Sequence, residues 1–185
     1  MSDWPAGSFS VLPSGLINSG SLATDLGMGI RYWSTSTNAT WSGGALWPAA
    51  NRAYYLSFRV EVPVTAYRMA FEVTAQAGNY DIGIYDILGN RLVSKGSTAV
   101  PAAGLASVDI TDTVLTPGHY FMALCLSDAT TAAVSRITVP DIQTLRVCGV
   151  QTQDVGAVTL PDPATFANPA AAYVPLIAVV LQTVI

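Results

Sequence analysis

Charge is what this sequence has least of. Asp, Glu, Lys and Arg together make up 11% of its 185 residues, against about 25% in ordinary soluble proteins. A net charge of −4 and a pI near 4.6 leave no basic stripe of the kind a phosphate backbone attracts, so no nucleic-acid partner is expected. Histidine occurs once, as His119, and cysteine twice, as Cys125 and Cys148. A four-ligand zinc centre is not assembled from those residues alone. A Ser-His-Asp triad would have to use His119, which lies in LTPGHYFMAL with no G-x-S-x-G elbow in the chain. Cys125, in FMALCLS, has no neighbouring cation to make a thiolate. Walker-type and G-x-G-x-x-G loops are absent as well. No catalytic, cofactor-binding or metal-binding residue is therefore expected, and no enzyme activity.

Long apolar runs are also missing. The strongest, YVPLIAVVLQTVI at 173–185, is shorter than the roughly 20 residues a spanning helix needs and is rich in β-branched residues. It predicts a buried terminal strand and no membrane partner. The opening MSDWPAGSFSVLPSG has neither a basic n-region nor an apolar h-region, which predicts synthesis and folding in a cytoplasm. A reducing compartment favours two buried thiols at Cys125 and Cys148, with a single disulfide as the alternative.

What the sequence does have is apolar surface. Hydrophobic residues make up 51% and the mean hydropathy is +0.42. Without a membrane segment, that balance predicts surface hidden by other subunits, because large exposed apolar patches drive association. Seven of the eight basic residues are Arg, the cation suited to interfaces. A homo-oligomer is expected, a trimer being one arrangement.

Two regions differ in texture. Residues 1–51 are rich in Gly, Ser, Thr, Asn and Ala and lack regular alternation, which predicts an extended N-terminal arm. It carries all four tryptophans, Trp4, Trp33, Trp41 and Trp47. These are the candidate partner-binding residues: flat aromatic faces serve as subunit anchors or sugar platforms, and the competing reading packs them on the chain's own sandwich. The arm is expected to contribute little to folding of the body.

Residues 52–185 read as the body. In AYYLSFRVEVPV, Tyr54, Leu56, Phe58, Val60 and Val62 share one parity and Tyr55, Ser57, Arg59 and Glu61 the other. In AYRMAFEVT, Tyr67, Met69, Phe71 and Val73 oppose Arg68 and Glu72. The two half-buried strands are expected to pair with each other. YDIGIYD, NRLVSKG, ASVDIT, HYFMALCLS, AAVSRITV, TLRVCGV and the terminal run are further strand candidates between turn residues, with no helical periodicity. The fold class is all-β, an antiparallel β-sandwich or jelly roll. LPDPATFANPAAAY, 160–173, is a long loop or crossover that could lie over a neighbouring subunit.

GNYDIGIYDILGNRLVSKG, 78–96, holds two aspartates. Strand parity points Asp81 and Asp86 to opposite sides, which does not suit a glycosidase pair. Asp86, Ile87, Leu88 and Gly89 instead match a type I turn. Asp109 and Asp112 offer only part of the six to eight oxygens calcium takes.

Residues 78–98 followed by LTPGHYFMALCLS resemble a β-sandwich pattern, Y-D-x-x-G-x-x-L-x-S then L-x-P-G-x-Y, of virion proteins of tailed bacteriophages and, more loosely, of pre-peptidase C-terminal modules. The matching positions are Tyr85, Asp86, Gly89, Leu92 and Ser94, then Leu115, Pro117, Gly118 and Tyr120. The resemblance spans about residues 53–126 and implies a non-enzymatic virion subunit assembled in a host bacterial cytoplasm, first of all a capsid decoration protein. Its partners would be the major capsid or other virion proteins. A tail, baseplate or fibre component, or a carbohydrate-binding module for a bacterial surface glycan, is the alternative. The motifs are turn-and-strand signatures and carry no catalytic residue.

Overall fold

The computed structural model describes residues 41–137, 142–147 and 149–183. Their strands, in chain order, are β1 (Trp41–Leu46), β2 (Arg52–Val60), β3 (Val64–Ala75), β4 (Asn79–Asp86), β5 (Arg91–Ser94), β6 (Thr98–Ala99), β7 (Gly104–Leu115), β8 (Gly118–Leu126), β9 (Ala133–Ile137), β10 (Gln151–Asp154), β11 (Val174–Pro175) and β12 (Ile177–Thr183). They form two six-stranded antiparallel sheets. The first runs β1-β9-β3-β12, with β7 on β3 and β11 on β9; the second runs β10-β2-β8-β4-β5, with β6 on β4. The all-β sandwich expected from alternation is the fold found.

The core between the sheets follows parity. Tyr54, Leu56, Phe58 and Val60 of β2 meet Met69, Phe71 and Val73 of β3, with Ile82 and Ile84 of β4, Met122 and Leu124 of β8, and Val179 of β12. Burying each large side chain contributes about 1.5–3 kcal/mol. This interlayer is the main source of stability.

Four expectations need correction. β2 and β3 do not pair; β2 lies between β8 and β10, whereas β3 pairs with β7, β12 and β9 in the opposite sheet. The exposed connection Glu61–Val62–Pro63 carries the chain across, and Pro63 lacks the N–H a hairpin ladder would use. Val62 therefore leaves the inward set and is 55% exposed. In β3, a register shift between Ala66 and Arg68 turns Ala66 inward and leaves Tyr67 half-buried. TLRVCGV is not a strand: Ile142–Val147 forms a short helix, α1. Gly149, at φ 73°, donates its N–H to the Arg146 carbonyl at 3.1 Å, and Val150 donates to the Leu145 carbonyl at 3.1 Å. That bond pair is a Schellman stop, closed by burial of Leu145 and Val150.

The boundary at residue 51 also shifts. β1 pairs with β9 through Trp41↔Ile137 to Leu46↔Ala133, so residues 41–51, read as arm, belong to the sandwich. Residues 1–40, with Trp4 and Trp33, lie outside the described residues.

Candidate functional site

A second cluster of aromatic and polar side chains, among them Asp81 and Cys125, gathers on the outer face of the second sheet. β2 carries two successive tyrosines near its start; Tyr54 enters the main core and Tyr55 points the other way. Tyr55 is nonetheless fully buried, because residues 155–167 cross the outer face as a strap. Ala53, Tyr55, Tyr85, Ala123 and Cys125 from three adjacent strands form a second apolar cluster with Val158 and Leu160, and Phe166 packs against it. Tyr55 meets Tyr85 edge-on at 5.3 Å and Phe166 at 5.1 Å, and Phe166 meets Phe121 at 4.6 Å. The loop expected to lie over a neighbour thus covers the chain's own sheet.

Asp81 is the polar centre of this face and is completely buried. Its carboxylate accepts the Leu160 N–H at 2.9 Å, the Gly96 N–H at 2.8 Å and the Ser94 hydroxyl at 3.0 Å. Those donors come from the strap and from β5 and its exit, so one side chain joins three pieces of chain. A buried carboxylate is tolerated when hydrogen bonds replace its hydration, and here donors approach both oxygens. With both oxygens accepting hydrogen bonds, Asp81 serves as a structural acceptor.

Further bonds tie down the strap. Tyr85 donates its hydroxyl to the Pro161 carbonyl at 2.6 Å, Tyr55 donates to Gln153 Oε1 at 3.1 Å, and Thr165 N–H reaches the same oxygen at 2.9 Å. Thr152 and Ala167 exchange backbone bonds at 2.8 and 2.9 Å. Arg91 gives a guanidinium N–H to the Leu160 carbonyl and its backbone N–H to Asp162. Burial raises the pKa of Tyr55 and Tyr85 well above the ordinary tyrosine value, with the neighbouring Cys125 and Tyr55, respectively, adding to it. Burial, aided by Asp81, pushes the free Cys125 thiol up to about 12. A thiol held protonated at neutral pH is no nucleophile. Cys148 lies outside the described residues.

The β4–β5 hairpin is the turn its sequence spells. Gly89 N–H reaches the Asp86 carbonyl at 3.2 Å, while the Asp86 carboxylate accepts the N–H groups of Leu88 at 2.8 Å and Asn90 at 2.9 Å. Gly89 has φ 89°, and an added Cβ would stand 2.7 Å from the Ala164 carbonyl oxygen. Only glycine meets both demands. The other half of the pattern is equally structural: Tyr120 donates its hydroxyl back to the Thr116 carbonyl at 2.8 Å, pinning the entry to β8, and Leu115 is fully buried. Asp109 pairs with Arg68 across β7 and β3 at 2.6 Å, and Asp112 is exposed. His119 is exposed at the start of β8, as its turn context implied.

Of the candidate partner-binding tryptophans, Trp47 is removed from that role by its position. It is 1% exposed, donates Nε1–H to the Arg52 carbonyl at 2.9 Å, and packs edge-on against Tyr54 at 5.3 Å and Tyr173 at 5.5 Å. Trp47 packs the chain's own core. Trp41 opens β1, and its side chain lies outside the described set.

Sequence reading missed Tyr55, Tyr85 and the burial of Asp81. A signal was present: RAYYLSF and HYFMALCL are nearly continuous apolar runs, the mark of strands covered on both faces. No protein-family model matches this chain, and no curated protein matches it either.

Proposed function

We propose that the chain is a non-enzymatic structural subunit of a bacteriophage particle, with decoration of the capsid as its first role and a place in the tail or fibre as the alternative. The observation that carries this reading is the use of the scarce polar groups. Asp81, Asp86, Tyr85, Ser94 and Tyr120, most of them members of the virion-like pattern, each hold a turn, a strap or a strand entry. Such a design invests in rigidity, the property a shell component supplies when binding energy is summed over many copies. The low charge content supports the same reading, since subunit contacts tolerate apolar surface that a solitary domain avoids.

Electron microscopy of particles assembled with and without this chain tests the proposal. Density on the outer shell that disappears without the chain is the expected result. An unchanged head beside an altered tail would move the subunit to the tail, and unaltered particles would end the virion reading.

A further inference from the structure

Three turns converge on one end of the sandwich. β2 runs out at Val60 opposite Gly118, the start of β8; Asp86, the last residue of β4, stands opposite Tyr120. Val64, the first residue of β3, stands opposite Leu115, the last of β7. The β2–β3, β4–β5 and β7–β8 turns therefore share this end. So do most of the large aliphatic side chains the described residues leave in solvent: Val62 at 55%, Ile87 at 60%, Leu88 at 79% and Val114 at 64%. Pro63 and Pro117 are exposed beside them.

Ile87 and Leu88 occupy the two central positions of a type I turn, where polar residues, Pro and Gly are the usual choice. Nothing local favours two aliphatics there. The turn is nevertheless held from both sides, by the Asp86 carboxylate within and by the Ala164 N–H on the Gly89 carbonyl at 2.8 Å from the strap. The β7–β8 turn is pinned by Tyr120. Apolar tips already fixed in place lose little conformational entropy on docking.

We infer that this three-turn end is a self-association face that meets the same face of a second copy. Its charge pattern selects that occupant. Glu61, the one charged residue within the three turns, has Arg59 at 3.4 Å, and the β4–β5 turn is bracketed by Asp86 on one side and Arg91 on the other. His119 stands opposite Arg59 at the margin. Asp162, exposed on the strap, accepts the Arg91 backbone N–H, so the face mixes the acids Glu61, Asp86 and Asp162 with the bases Arg59 and Arg91. A face that carries both signs lets copies that repel one another elsewhere set acid against base here, and a two-fold axis places the aliphatic tips of each copy among those of the other. An anionic lipid or nucleic-acid surface calls for an excess of cations that this end lacks.

The inference does not rest on the virion reading, because purified chain suffices to test it. Sedimentation of the full-length protein over a concentration series is expected to show a reversible dimer. Leu88→Asp and Val62→Asp are each expected to weaken it about tenfold or more, with the milder Leu88→Gln in the same direction. Leu105→Asp, at the opposite end of β7 and exposed to 75%, is expected to leave it unchanged. Thermal melts of all four variants establish that the fold is retained. A chain monomeric up to about 1 mM, or a dimer sensitive to Leu105→Asp and indifferent to Leu88→Asp, overturns the inference. So does flotation of the monomer with phosphatidylcholine vesicles that is lost in Leu88→Asp, which would assign the face to lipid.

Discussion

Asp81 shows how much a single side chain can organise when charge is scarce. It is buried between a sheet and a strap, and it accepts the Leu160 and Gly96 N–H groups and the Ser94 hydroxyl. Removing an acceptor costs more than the net worth of the bonds, since buried donors then stay desolvated and unpaired. Asp81→Ala is therefore expected to lower unfolding stability by about 3 kcal/mol, read from urea denaturation. A loss below about 1 kcal/mol would mean that the strap stays in place without it. Trp47 makes the complementary point with an apolar side chain: Trp47→Ala opens a cavity among Tyr54 and Tyr173, at an expected cost of about 3–5 kcal/mol. In a chain of this size that corresponds to a melting temperature lower by about 10 °C.

At the scale of elements, carboxylates substitute for longer ladders at the turns. Burial opposes ionisation of Asp86, but the Asn90 side chain and the N–H groups of Asn90 and Leu88 outweigh it and hold its pKa below the ordinary 3.8. Asp128 is lowered in the same way, chiefly by the Ala132 and Thr131 N–H groups. A carboxylate whose folded pKa is depressed contributes stability above its unfolded value and loses it as pH falls through the folded one. Stability is thus expected to decline as pH drops below 3.8, the ordinary value of both groups. In Asp86→Asn and Asp128→Asn, acid titrations of the urea midpoint should be shallower than in the parent. Identical acid slopes in parent and variants would show that these turns do not depend on the ionised form. β7 illustrates another local device: as an edge strand it carries exposed Asp109 and Asp112 beside a register shift, features that discourage a further strand from adding there.

For the molecule as a whole, the two clusters make a layered body: first sheet, main core, second sheet, outer cluster, strap. β1 and Trp47 belong to that body, so truncation behaves differently on either side of residue 41. Removing residues 1–50 deletes β1 and Trp47, and the melt is expected about 10 °C or more below that of a chain lacking only residues 1–40. Coincident melts would return β1 and Trp47 to the arm. Trp47, buried in that body, offers no face to a sugar.

Alternation and turn chemistry are local properties, and what they determine was legible in the sequence. The inward parity of β2 from Tyr54 to Val60, the Asp86–Gly89 turn, the strands around Ile82, Val108 and Leu124, and the exposed start of β8 at His119 all follow from neighbours within a few residues. The stop of α1 at Gly149 is equally local but needs a capping argument that strand periodicity hides. Which strands pair, by contrast, is decided by non-local contacts. β2 and β3 are adjacent in the chain yet lie in opposite sheets, because each finds a longer ladder elsewhere, β2 with β8 and β3 with β7 and β12. Likewise the burial of Tyr55, Tyr85 and Asp81 depends on a strap some 80 residues further along the chain from Asp81. A parity pattern says that a residue faces away from the core, but only the tertiary structure says whether another segment waits there to exclude water.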